Sequence, residues 1–477
     1  MSRCTIVPPH ILERLAHAAD ADIVASAREA LLDADRRLIG RRGHLAPDRV
    51  SAGRPRLPLS TIDGGPERLI SDAHNATALP GTKVRGEGDP ATDDVAATEA
   101  YDGLGDTWQL YAEVFERNSL DGRGLPLRAT VHYGQDYDNA FWDGTQMVFG
   151  DGDGKVFGRF TASLDVIGHE LAHGVTEHTA GLMYQGQPGA LNESMSDVFG
   201  SLVKQRTLGQ SAADADWLIG AELLIGELAG QALRSMKAPG TAYDNPLLGR
   251  DPQPAHMDDY VDTDEDHGGV HINSGIPNKA FYLVATTLGG SAWEAPGRIW
   301  YAVLTGPGIS ADCDFVTFAG LTVDEAISTY GADSPEAVAV RDAWAEVGVL
   351  GATQEPESDP DPRDGDAPTP PAPADVPAGT VVEVTRSGGL IGQTVRRAVA
   401  LDELPRARAQ EWRSVLGSRT LQAIDGRAQA SAERTRPDSF CYGVTCSAPP
   451  TDVQIPEQHL PDHLRQLFDG TLREDPA

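Results

Sequence analysis

Apolar residues change their period twice along the chain. Between residues 68 and 149 they alternate with polar residues in short runs, as in 127–132 and 146–149, separated by turns rich in Gly and Asp. Such alternation predicts strands with one face on a core. From Leu164 onward the repeat lengthens to that of a helix and predicts helices over 164–179, 190–206 and 276–288. A β-rich half followed by an α-rich half implies an α+β fold of two lobes with a cleft between them. Upstream, Pro8 and Pro9 precede a helical pattern in Ile11, Leu12, Leu15 and Ala16, and a second amphipathic stretch follows. Residues 351–380 carry no period and are dominated by Pro and acidic residues, which predicts a stiff, solvated linker. Beyond it come a strand (381–386), a strand (393–400), a helix (406–416), a strand near 440–446, a short strand and a final helix (460–467). That order predicts a small antiparallel sheet backed by two helices. The expected divisions are 1–55, a β-rich lobe over 68–177, a helical lobe over 178–350, the linker, and a ββαββα domain over 381–477.

Composition narrows the partners. Asp and Glu number 71 against 39 Lys and Arg, a formal charge of -32. So acidic a surface repels phosphate backbones and anionic lipid, and the expected partners include neither nucleic acid nor membrane. No stretch approaches the length of a membrane span. The first twenty residues lack a long apolar run behind a basic start, so the expectation is a protein made soluble in the cytoplasm, with any release by a non-classical route. Cys4, Cys313, Cys441 and Cys446 are too scattered for a disulfide framework and show no zinc-ligand spacing. If Cys441 and Cys446 share a strand, their odd separation puts them on opposite faces, so unbridged thiols are expected.

The chemistry is concentrated after Asp165. In His169-Glu170-Leu171-Ala172-His173 the two histidines stand four apart, on one face of a helix, where both imidazoles can reach one metal ion. Glu170 points to the same edge and can take a proton from water at that metal. Twenty residues beyond His173, in Asn192-Glu193-Ser194-Met195-Ser196-Asp197, Glu193 can supply a third ligand and leave the fourth position open. Asp197, one turn later, can accept a hydrogen bond from a ligand imidazole and fix its tautomer. The bland alternatives are a solvated helix face with two unrelated histidines, and an ordinary acidic face around Glu193.

These motifs, with 137–154 (YDNAFWDGTQMVFGDGDG), 165–176 (DVIGHELAHGVT), 179–184 (TAGLMY) and 268–278 (GGVHINSGIPN), resemble the thermolysin family of metallopeptidases over residues 68 to 350. The resemblance implies one catalytic zinc held by His169, His173 and Glu193, with Glu170 as general base and Asp197 supporting a ligand histidine. It makes Tyr184 and His271 the groups that stabilise the oxyanion, with Asp266 orienting His271. It assigns Asn139, the Ala140 backbone and Arg234 to the substrate main chain, and Phe157, Val166 and Leu233 to an apolar pocket that favours cutting on the amino side of bulky apolar residues. Each oxyanion donor is worth about 2–4 kcal/mol of barrier. His132, His178, His256 and His267 fit no ligand spacing, and His267 stands where the family often has Asn. The family's double calcium site is expected to be lost: Asp165 and Asp216 remain, but Lys204, Leu218 and Ala221 stand at matching places, and an ammonium there replaces the ion's charge.

The flanks resemble regulators. Val7-Pro8-Pro9-His10-Ile11-Leu12 is similar to the short propeptide of protealysin-type members, which implies a zymogen; Cys4 is either a thiolate capping the zinc or a passive apolar residue. Residues 382–393 and 437–442 resemble emfourin, the small protein inhibitor of protealysin, which implies protease and inhibitor on one chain; the rival role is a targeting module. The expectation is a monomeric zinc endopeptidase acting on proteins or peptides, with its own propeptide and C-terminal domain as intramolecular inhibitors. Against it stand a zinc-stabilised binding scaffold without turnover, and an exopeptidase.

Overall fold

The protein is described by a computed structural model over residues 5–42, 62, 64–351, 376–377, 379–388, 393–404, 406–417, 421, 440–447, 450–457, 460 and 462–473. Cys4, the end of the propeptide-like segment and nearly all of the 351–380 linker lie outside the described residues. The chain divides into two units, Met1–Glu357 and Ser358–Ala477, each with its own apolar core.

The first unit opens with α1 (Pro9–Leu15) and α2 (Ala21–Arg42), whose Ile11, Leu12, Leu15, Ile23 and Ala27 are buried in the same core as the lobes that follow. Strands β1 (Arg68–Asp72) and β2 (Thr82–Gly86) precede α3 (Val95–Gln109), which starts where Asp94 caps the Ala96 and Ala97 N–H groups. Strands β3 (Leu127–Val131), β4 (Ala140–Trp142) and β5 (Met147–Phe149) complete a sheet of order β2-β1-β3-β5-β4. β1, β3 and β5 run parallel, with Ile70 opposite Ala129 and Ala129 opposite Met147; β4 is antiparallel to β5 and forms the edge of the sheet.

Helices α4 (Leu164–Glu177) and α5 (Gly186–Leu208) follow. α5 begins four residues ahead of its apolar pattern because its first turn, Gly-Gln-Pro-Gly, holds no apolar side chain, and Pro188 is tolerated there. From Gly189 to Gln205 it is buried all round, so it is the central helix of its lobe. A Cβ on Gly200 would lie 2.3 Å from the Asp165 carbonyl oxygen, and one on Gly168 would lie 2.9 Å from the Gly200 Cα. These two glycines let α4 and α5 approach backbone to backbone. Two short ladders, β6 (Leu218–Ile219) with β7 (Arg234–Ser235) and β8 (Asp244–Asn245) with β9 (Gly249–Arg250), lead to α6 (Asp266–Asn273), α7 (Gly275–Leu288), α8 (Ala295–Thr305), α9 (Phe315–Tyr330) and α10 (Pro335–Glu346). A β-rich N-terminal region thus joins a helical lobe, and no helix among the described residues is long and apolar enough to cross a membrane.

The second unit is a four-stranded antiparallel sheet of order β11-β10-β12-β13, built from β10 (Val381–Gly388), β11 (Gln393–Ala400), β12 (Phe440–Ser447) and β13 (Pro450–Pro456), with α11 (Arg406–Gly417) and α12 (Asp462–Arg473). Trp412 of α11 stacks on Phe468 of α12 at 5.3 Å over buried Val382, Val384, Tyr442 and Val444. Cys441 and Cys446 lie on β12 and form no disulfide.

Candidate active site

The close approach of α4 and α5 sets the centre. His169 and His173, one turn apart on α4, bring their Nε2 atoms to 3.1 Å, and each lies 3.6 Å from a carboxylate oxygen of Glu193 on α5. All three side chains are buried. The far nitrogens are engaged: His169 Nδ1 is 2.8 Å from Asp197 Oδ1, and His173 Nδ1 is 2.8 Å from Asn192 Oδ1. Asn192 is oriented by its own Nδ2, which donates to the Leu182 carbonyl at 3.2 Å. Both imidazoles therefore carry their proton on Nδ1 and aim lone pairs at one another and at an ionised carboxylate, an arrangement that a borderline-soft divalent cation relieves. Burial and the neighbouring imidazoles hold His173 neutral, pushing it down to about 4, Glu193 raising it only in part. Burial opposes ionisation of Glu193, but His271, His173 and His169 outweigh it and bring it to about 2. Two imidazoles and a carboxylate are the donor set of a catalytic zinc.

The predicted partners gather round this point. Glu170 accepts the Trp142 N–H at 2.9 Å, and burial, then Glu193, push its carboxyl well above the usual range, opposed by the Trp142 and Ile6 N–H groups and Arg234. Tyr184 Oη donates to Glu193 Oε1 and lies 3.3 Å from His271 Nε2. His271 stands after a turn of α6 in which His267, Gly268 and Gly269 are left-handed. Asp266 holds both His271 Nδ1 (2.6 Å) and His271 N (2.8 Å). Burial lowers the His271 pKa, yet Asp266 and Glu193 prevail and raise it to about 9. Asp197 is itself gripped by Arg234 through two bonds of 2.8 Å and by Asn278 at 2.8 Å. Phe157, Val166 and Leu233 are buried.

The N-terminal segment lies across these groups. Ile6 N donates to the Ala140 carbonyl on the edge strand β4 (3.2 Å), and Val7 N donates to Asn139 Oδ1 (3.1 Å). Arg234 Nη1 donates to the Ile6 carbonyl (3.2 Å), and His271 Nε2 is 3.1 Å from the Thr5 carbonyl. Farther along, His10 meets Tyr243 at 2.8 Å, and Lys155 pairs with Asp20 and Asp22.

Two other clusters bear on ions. Lys204 Nζ lies 3.1 Å from Asp216, 3.0 Å from Glu222 and 3.8 Å from buried Asp165. His132 has no ligand spacing in the sequence, yet it stands with Asp72 and Asp94 in a group close enough to hold an ion. Its ring is clamped between Asp151 (2.8 Å) and Asp94 (2.9 Å). Sequence reasoning missed Asn192, Ser196 (3.0 Å from His173 Nδ1), Asn278 and Glu222. Asn192 and Ser196 flank Glu193 within one helical turn, a signal that was available; Asn278 and Glu222 reach their partners only through the fold.

Comparison with known proteins agrees with this geometry. The family described as "Thermolysin metallopeptidase, catalytic domain" matches residues 66–177, "Thermolysin metallopeptidase, alpha-helical domain" matches 180–349, and "Emfourin" matches 384–472. An "Extracellular metalloprotease" of Pectobacterium carotovorum subsp. carotovorum is 51% identical over 346 residues, 72% of this chain and 96% of the relative. A "Thermolysin" of Alicyclobacillus acidocaldarius subsp. acidocaldarius is 40% identical over 288 residues, 58% of this chain and 50% of the relative. Among solved structures, the precursor of protealysin, a metalloproteinase from Serratia proteamaculans, is similar with a TM-score of 0.65 and 52% identity, covering 73% of this chain and 100% of that one.

Proposed function

This chain belongs to the thermolysin family and is a zinc metalloendopeptidase, and from that premise we propose how its residues divide the work and how it is held latent. The observation that carries the proposal is the convergence of His169, His173 and Glu193 on one point with both Nδ1 atoms engaged. These three would hold the zinc, which supplies a Lewis acid that polarises the scissile carbonyl and acidifies water. Glu170, buried beside them, takes the proton of the attacking water and passes it to the departing nitrogen. Tyr184 and a protonated His271 stabilise the charge that develops on the carbonyl oxygen, and Asp266 keeps His271 charged and oriented. Asp197 fixes the tautomer of His169. Asn139, the Ala140 carbonyl and Arg234 align the substrate main chain. Phe157, Val166 and Leu233 line the pocket for a bulky apolar residue after the cut.

Latency comes from both ends of the chain. The N-terminal segment occupies the groups assigned to substrate, which supports a zymogen. The emfourin-like unit supports an inhibitor fused to its own target: a tether of this length gives an effective concentration in the millimolar range, so even a modest inhibitor stays bound. The double calcium site is lost, because the Lys204 ammonium takes up its carboxylates. Casein hydrolysis tests the proposal with three chains each freed of the N-terminal segment: one running to the end of the last unit, one ending at Glu357, and one running to the end and carrying Glu170→Gln. The expected order is faster cleavage without the last unit and none with the Gln variant. Equal rates for the first two would remove the inhibitor role; cleavage by the Gln variant would remove the general base.

A further inference from the structure

The N-terminal segment does more than fill the cleft, because its peptide groups meet the site in a definite direction and register. Asn139 Oδ1 receives Val7 N, the Ala140 carbonyl receives Ile6 N, Arg234 reaches the Ile6 carbonyl, and His271 Nε2 reaches the Thr5 carbonyl. A chain running the other way would set N–H against guanidinium and carbonyl against carbonyl, so the match holds in one direction only. In this register the carbonyl at the oxyanion group belongs to Thr5. The nitrogen one bond farther, which lies against the Glu170 carboxylate as well as Ala140, belongs to Ile6. Ile6 itself is apolar and fully buried, the kind of side chain proposed to follow the cut.

We propose that the Thr5–Ile6 peptide bond is a substrate of the chain's own active site, cut in cis before the rest of the propeptide-like segment is released. This rests on the peptidase function proposed above. A water oxygen bonds to the Thr5 carbonyl carbon, the bond to Ile6 N breaks, and that nitrogen takes up a proton. The products are a Thr5 carboxylate and an Ile6 amine. Residues 1–5 leave as a peptide.

The cut does not by itself activate the enzyme. Downstream of Ile6 the segment stays tied to the lobes by His10 on Tyr243 (2.8 Å), Arg14 on the Pro246 carbonyl (3.2 Å), Ser26 on Asp138 (2.7 Å) and Lys155 on Asp20 (2.7 Å). Ile6 remains in place as a bound product, and a second event must remove α1 and α2.

Mass spectrometry of the purified full chain, loaded with zinc, tests this. Wild-type chains should begin at Ile6, including any propeptide fragment already released, while Glu170→Gln chains keep Thr5–Ile6 joined. In a mixture the Gln variant should stay uncut, as required of a reaction in cis, and Ile6→Asp should lower the extent of the cut at least tenfold. The same wild-type preparation, opened by limited trypsin digestion, is assayed on casein. Casein hydrolysis alongside propeptide that still runs intact through Thr5–Ile6 overturns the cis cut and leaves the peptidase function standing. No hydrolysis and no cut overturns both. Cutting of the Gln variant in the mixture overturns the claim that the reaction is in cis.

Discussion

Replacing Lys204 by Met removes one ammonium from among three carboxylates. Asp165 carries most of the consequence, since it is fully buried, whereas the side chains of Asp216 and Glu222 are each 43% exposed and will be screened by water. Breaking a buried pair by deleting one partner costs about 3–5 kcal/mol. Asp165 sits toward the lower end, because it keeps bonds from Gly220 N (3.0 Å), Ser163 Oγ (2.5 Å) and Val166 N (2.9 Å), and the ammonium is 3.8 Å away. The expected loss is therefore about 3 kcal/mol. Burial already raises the Asp165 carboxyl, and Lys204 pulls it down, so deleting the ammonium raises it further. An acid whose folded pKa lies above its unfolded one loses stability as pH rises between the two, so the penalty should shrink on acidification. Urea unfolding at pH 7 of the chain ending at Glu357 measures it, so that only one unit unfolds. Lys204→Met should lower the midpoint with and without calcium, wild type should be indifferent to millimolar calcium, and Lys204→Glu should become calcium-dependent. A loss below about 1 kcal/mol, or a wild type that calcium stabilises by that much, refutes the assignment of the ammonium to the place of the ions.

Two further outcomes follow from neighbouring contacts. The Ser26 hydroxyl has one proton but lies against both the Asp136 carbonyl and Asp138 Oδ2, and burial, with Asp153 and Asp136, raises Asp138 to about 8, so Asp138 is protonated beneath α2. The Asp138 share of the grip on the cut propeptide, read by gel filtration as the difference between wild type and Asp138→Asn, should accordingly be largest in acid and fall away as pH rises through about 8. Asn192→Ala deprives His173 Nδ1 of its acceptor while leaving Ser196, and should weaken zinc binding about tenfold or more in chelator competition.

The fold was legible where period was strong. Strands 393–400 and 440–446 came from alternation and the long helices from the helical period, and their ends moved by a few residues where caps or glycines carry no period. The His169, His173 and Glu193 set was legible because two ligands share one helical turn and the third stands in its own helix with Asp197 one turn away. Tyr184, Asp266 and His271 owed their assignment to resemblance, since a lone Tyr or loop His carries no spacing. Asn278 and Glu222 were not legible, as each reaches its partner only after α4 and α5 close on Gly168 and Gly200. The register of Thr5, Ile6 and Val7 likewise depends on where the β4 edge falls, which no one-dimensional pattern records. Lys204 was read as a departure from the resemblance, a cation where carboxylates were expected, and it stands among Asp165, Asp216 and Glu222.

Restoring zinc to metal-free protein while following peptide hydrolysis tests the central claim most directly, using chain freed of its propeptide. Activity should vanish on chelation, climb in proportion to added zinc and level off at one equivalent per chain, with Glu193→Ala failing to recover at that equivalent. Hydrolysis that survives thorough chelation, or a Glu193→Ala protein that recovers along the same line, would contradict a centre built from His169, His173 and Glu193.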